Sequence, residues 1–311
     1  MTTPTSTTRN SRALRFGAIG VLVALAAALI AAADSYASGK VNGVRAAVNH
    51  GTLNVTGSDG GQQVALRLKA GDTNTIQVDA GDNGSADFSF ASRAVDAIKV
   101  KMGDGNDSAR IDDSNGAFTV TIPTTIAGGG GNDSLEGGQT QVAAENETYK
   151  GGAGNDTVDG GKGNDTAYLG AGNDTFRWDN GEGSDVIEGQ DGSDTMLFNG
   201  NAVNTDTVTM SANGGRLAFV RVQGNVTMDT NDVEIVDFNA LGGADVITVN
   251  DLTGTDVTQT NVDLALTLGG NAPDGVVDTV TNATNGDDTI VSVAHADATD
   301  QLNGPIQLLV D

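Results

Sequence analysis

Short runs of alternating apolar and polar residues recur along most of the chain. Val64, Leu66 and Leu68 alternate with Ala65, Arg67 and Lys69; the pairs Ile76 and Val78, Phe88 and Phe90, and Ile98 and Val100 follow, and then Phe118, Val120 and Ile122. A period of two predicts strands with one buried face, and the Gly, Asp and Asn between them predict turns. Strand starts spaced by roughly ten to twelve residues fit either a sandwich of short strands or the coils of a solenoid. Further strands are expected at Leu217–Val222, Val226–Met228, Val233–Phe238 and Gln307–Asp311.

Between Gly151 and Leu197 the pattern tightens to a period of nine. Gly151-Gly152-Ala153-Gly154-Asn155-Asp156-Thr157-Val158-Asp159 is followed by units starting at Gly160 and Leu169, and after a two-residue insertion, Trp178-Asp179, by units starting at Asn180 and Gly189. Each keeps Gly at position four and Asp at position six. An outlying unit begins at Gly128, and degenerate ones cover 102–110, 241–247 and 285–290. A Gly-rich turn brings backbone carbonyls together, and one Asp adds an anionic oxygen. Calcium takes six to eight oxygens, more than one short turn supplies, so turns must stack to complete the shell. The apolar residue at position eight, flanked by polar ones, suits a short strand. A flexible Gly/Asp-rich linker would not hold that position. The predicted fold is all-β: a right-handed parallel β-roll, or β-solenoid, with two units per coil.

These units resemble the RTX (haemolysin-type) calcium-binding repeat, a nonapeptide known to stack into β-helices. The resemblance is strong over 128–197 and degenerate on either side. Carried over residue by residue, it implies Ca2+ ligands at Asp133, Asp156, Asp165, Asp174, Asp185 and Asp194, with turn carbonyls from Gly129, Gly131, Gly151, Gly152, Gly154, Gly160, Gly161, Gly163, Gly170, Gly172, Gly181, Gly183, Gly189 and Gly192. Asp107, Asp245 and Asp288 sit in degenerate units and read either as ligands or as turn caps. If units alternate sides, Asp156, Asp174 and Asp194 line one edge, and Asp165 and Asp185 the other. Relatives of this kind carry such repeats beside an effector domain and leave by type I secretion; this chain shows neither mark and reads as a shortened member.

Composition narrows the function. Aromatic residues are 4% of the chain, 44 residues are Gly and none is Cys. A solenoid tolerates so thin a core because each repeat packs only on its neighbours, and without thiolates only oxygen-based metal chemistry remains for these acidic turns. Arg9, Arg12 and Arg15 precede an apolar run from Phe16 to Ala33 and small residues at Ser35-Tyr36-Ala37. That order predicts a secretory signal peptide over 1–37, or an uncleaved anchor; Arg12 and Arg15 are not adjacent, so a twin-arginine signal is not supported. Residues 38–127 then form an irregular solenoid, 128–197 the calcium roll and 198–311 a degenerate solenoid. The net charge of −25 opposes binding to nucleic acid or anionic lipid, and no membrane contact is expected unless the N-terminal segment stays uncleaved. Such a chain repels itself without counter-ions, so calcium binding and folding become one event.

His50 and His295 stand apart, and no hydrolase, zinc or phosphate-binding motif is present. The expected product is a secreted, non-enzymatic calcium-binding protein, structural at the cell surface or outside the cell. A calcium-dependent adhesin contacting glycan or a surface protein, and a polysaccharide-processing enzyme, are the alternatives. Trp178, the single Trp, reads as an aromatic filling a widened coil or as a sugar or partner contact. The insertion Gly137–Lys150 reads as a solvated bulge, a partner loop or a source of further carboxylates.

Overall fold

A computed structural model describes residues 39–140, 146–283 and 289–309. The expected leader, Asp288 and the centre of the 137–150 insertion lie outside these residues.

The nine-residue units wind into two parallel sheets. Strands Thr124–Gly130, Glu147–Ala153, Thr166–Gly172 and Val186–Gly192 are neighbours in one, and Ser134–Glu136, Thr157–Asp159, Thr175–Trp178 and Thr195–Asn199 are neighbours in the other. Thr148 lies beside Thr166, eighteen residues on, so two units make one coil. Thr166 lies beside Val186, because Trp178-Asp179 lengthens that coil by two residues. Tyr149, Ala167 and Ile187 face inward from one sheet, and the eighth-position residues Val158, Phe176 and Met196 from the other, all fully buried. Each buried aliphatic or aromatic side chain contributes about 1.5–3 kcal/mol, so a coil is held by a few residues and its neighbours.

The same two sheets continue in both directions. Thr52–Thr56 pairs in parallel with Ala97–Asp104, and Gln63–Lys69 with Ser108–Asp112. A local antiparallel extension, Asp72–Ala80 and Phe88–Ala91, lies on the edge of the second sheet. The strand expected through Phe118, Val120 and Ile122 is not formed. Thr119–Thr121 makes a single 3-10 turn with Val120 exposed, ahead of Pro123, which has no N–H to give to a ladder.

The region after Leu197 departs most from simple coils. Thr207–Asn213, Arg216–Arg221 and Val226–Asn231 form an antiparallel meander inserted between Val186–Gly192 and Val246–Val249. The facing sheet spans the same stretch with one strand, Ile235–Asn239. Two extra strands at about 4.8 Å each open a wedge that aromatic rings fill. Trp178 stacks on Phe198 with centroids 3.9 Å apart, and Phe219 from the meander lies 4.4 Å from Phe198 and 5.9 Å from Phe238. Trp178 is completely buried. It fills the widened coil, and the reading of it as a sugar or partner contact is wrong.

Candidate metal centre

Positions five and six of each unit tie the coils together in opposite senses. Along one edge the backbone N–H of Asp107 donates to Asp133 Oδ1, Asp133 to Asp156, Asp156 to Asp174 and Asp174 to Asp194, at 2.6–2.8 Å. Gln62 N–H opens this ladder on Asp107, and Asp194 N–H closes it on Glu234 Oε2. The preceding Asn residues run the other way: Asn155 N–H donates to Asn132 Oδ1 and Asn173 N–H to Asn155 Oδ1, both 2.9 Å. On the opposite edge Glu147 N–H donates to Asp165 Oδ1 and Asp165 N–H to Asp185 Oδ1, at 2.6 and 2.7 Å. The units thus alternate sides.

Each Asp uses one oxygen for this ladder. The second, Oδ2, of Asp107, Asp133, Asp156, Asp165, Asp174, Asp185 and Asp194 is buried with no hydrogen-bond partner. A buried charge left unpaired costs several kcal/mol, so a row of such oxygens at the turns calls for cations. Asp156 Oδ2 occupies the space a Cβ at Gly151 would need; Gly160 and Gly189 stand in the same relation to Asp165 and Asp194. Gly129, Gly152 and Gly170 stack in register. Gly152 has φ 124°, and a Cβ there would run into the Gly129 carbonyl oxygen. Gly131, Gly154, Gly172 and Gly192 form the parallel column on the same edge, each with positive φ. Gly161, Gly163, Gly181 and Gly183 build the turns of the opposite edge, where the Gly181 carbonyl accepts from Lys162 Nζ at 2.7 Å.

Burial pushes the carboxyl pKa values up: Asp133, Asp156 and Asp194 to about 6 and Asp185 to about 7. Asp165 is raised further, by burial and then by the charges of Asp185 and Glu147. A turn that resists holding its own carboxylates ionised, yet supplies carbonyls and orphaned carboxylate oxygens together, fits a hard cation with oxygen ligands.

Several carboxylates in these columns depart from the nonapeptide pattern. Glu147, inside the insertion, takes the Asp165 register; the signal is Asn146-Glu147-Thr148, which parallels Asn164-Asp165-Thr166. A further ladder starts where the meander begins: Asp206 N–H donates to Asp245 Oδ1, Asp245 N–H to Asp278 Oδ1 and Asp278 N–H to Asp300 Oδ1, at 2.6–3.0 Å. Asp245 therefore has neighbours one coil away, which the spacing did not reveal. Asp-Thr-Val at 206–208 and 278–280 carries that signal without a Gly-rich turn before it.

A family model for the RTX calcium-binding nonapeptide repeat matches residues 124–139, 143–176 and 181–201, in four copies. The chain carries RTX calcium-binding repeats. These RTX repeats bind Ca2+, and the matched segments are the coils whose turns bear the two carboxylate ladders. No curated protein and no solved structure matches the chain.

Proposed function

We propose that the chain is a secreted, non-enzymatic protein whose RTX turns take up calcium outside the cell and fold as they do so. The observation that carries this reading is the row of buried, unpartnered Oδ2 atoms on Asp133, Asp156, Asp174 and Asp194 along one edge, and on Asp165 and Asp185 along the other. Those oxygens, with carbonyls of the adjoining Gly-rich turns, would hold the ions. Calcium supplies the positive charge that lets the carboxylates stay ionised while buried.

The ladders explain why folding would wait for calcium. The Asp N–H groups reach a neighbouring carboxylate only once the coils are stacked, and stacking brings like charges into successive turns. At a cytoplasmic calcium level the repulsion stands; extracellular modules of this type bind with dissociation constants of about 0.1–1 mM, so export would trigger folding. The order of basic, apolar and small residues over 1–37 supports secretion, and among the described residues no helix is long and apolar enough to cross a membrane. A structural role at the cell surface or in the surrounding matrix is the use that fits a continuous two-sheet stack.

Small-angle scattering of the purified chain in chelator and in calcium tests the reading. It predicts an expanded chain that contracts on adding calcium and not on adding magnesium. A radius of gyration equal in both conditions would overturn it.

A further inference from the structure

The insertion Trp178-Asp179 does more than widen a coil. In the other units the third residue of the turn, Ala153, Lys162, Ala171 or Asp191, is exposed or half-buried. In the unit after the insertion that residue is Glu182, only 6% exposed. Its carboxylate turns inward toward Asp159, at the end of the strand below, and Asp179, in the insertion itself. One ligand oxygen from each of the three lies within 4.8 Å of the other two. We propose that Asp159, Asp179 and Glu182 form a second kind of cation site, built by the insertion and taking one calcium ion. The proposal rests on the calcium reading of the roll, yet none of the three is a sixth-position Asp of the repeat.

Each group is already aimed. Glu182 Oε2 accepts from Asp179 N–H at 2.7 Å, while Oε1 is buried without a hydrogen-bond partner. Asp179 Oδ1 accepts from Asn199 Nδ2 at 2.6 Å, and Asp159 Oδ1 from Gly161 N–H at 3.0 Å. Trp178 Nε1 donates to the Gly183 carbonyl at 2.9 Å, which fixes the turn that carries Glu182. Outer partners of this sort orient ligands for a metal. Arg177 pairs with Asp159 and lies 3.5 Å from Asp179, so one cation is shared among three carboxylates and two negative charges remain. A divalent ion balances them. The donors are all oxygen, which selects a hard cation, and their number and mixed origins suit calcium better than the small octahedral shell of magnesium.

Two readouts test this on the full chain: calcium counted by equilibrium dialysis, and terbium luminescence excited through Trp178, the single Trp and a neighbour of the site. Glu182→Gln is expected to bind one calcium fewer per chain and to lose part of the sensitised emission while keeping its calcium-induced β-structure. Asp179→Asn, at a half-exposed position, is expected to weaken that ion by about tenfold or more; it decides the matter if Glu182→Gln does not fold. Wild-type calcium number and affinity in both variants would overturn the proposal. Asp174→Asn separates the two readings. Loss of calcium there with none lost in Glu182→Gln or Asp179→Asn removes only this site, whereas a wild-type chain that binds no calcium removes the calcium reading as well.

Discussion

Asp156→Asn isolates the role of a single ladder oxygen. Asp156 Oδ1 accepts the Asp133 N–H at 2.8 Å, and an Asn side chain keeps that acceptor; only the buried, unpartnered Oδ2 is replaced. The carboxyl pKa rises from 3.8 to about 6, chiefly through burial. About two pH units at 1.36 kcal/mol each, discounted for solvent screening, make the ionised group cost the calcium-free roll about 1–3 kcal/mol at pH 7. The variant is therefore expected to stabilise the chelated roll by about that amount. In calcium the sign reverses: one site held at a hundredfold above its dissociation constant is worth about 2.7 kcal/mol, and the variant forfeits it. Urea midpoints followed by Trp178 emission, in chelator with sucrose to favour the compact state and again in calcium, measure both terms. The reasoning is refuted if Asp156→Asn weakens the roll equally in both conditions, since Asp156 would then be a hydrogen-bonding cap and nothing more.

Other outcomes follow from the same geometry. Gly152→Ala puts a Cβ against the Gly129 carbonyl at a φ of 124° and is expected to cost about 1–3 kcal/mol, read as a lower melting temperature in saturating calcium; an unchanged melting temperature would mean that the coils are not in this register. Because the ladder carboxyls have raised pKa values in the folded state, their neutral forms favour the fold: the chelated roll should be most stable below about pH 4 and lose stability as pH rises through about 6. In calcium the dependence inverts, since binding requires the ionised groups, and circular dichroism across pH with and without calcium should show the two trends crossing. Trp178→Ala removes the ring stacked on Phe198 and should cost about 3–5 kcal/mol, measured by urea unfolding in calcium.

The repeat made the roll legible because its two periods are set by different physics. Position eight must be apolar to be buried between sheets, and position six must be Asp to accept the N–H of the Asp one coil before it, so both survive in the sequence at fixed spacing. Where the chain closes a coil by other means the signal fades. Glu147 lies within the insertion that breaks the count of nine, and Asp206, Asp278 and Asp300 follow turns without the Gly pattern, yet all stand in the carboxylate columns. The meander over 207–231 reads locally as strands, which it is, but period two carries no information on whether a neighbour runs parallel or antiparallel. Trp178 was ambiguous for a similar reason. Its burial depends on the wedge opened by the meander, whose Arg221 lies over the Trp178 ring from more than forty residues away in sequence.

The most direct test is a calcium titration of the chelated chain followed at once by far-UV circular dichroism and Trp178 emission, with magnesium as control. The account predicts a cooperative gain of β-structure at about millimolar calcium or below, with a blue shift of Trp178 as it enters the core at the same midpoint, and neither change with magnesium. A chelated chain already rich in β-structure with Trp178 buried, and indifferent to calcium, would contradict it.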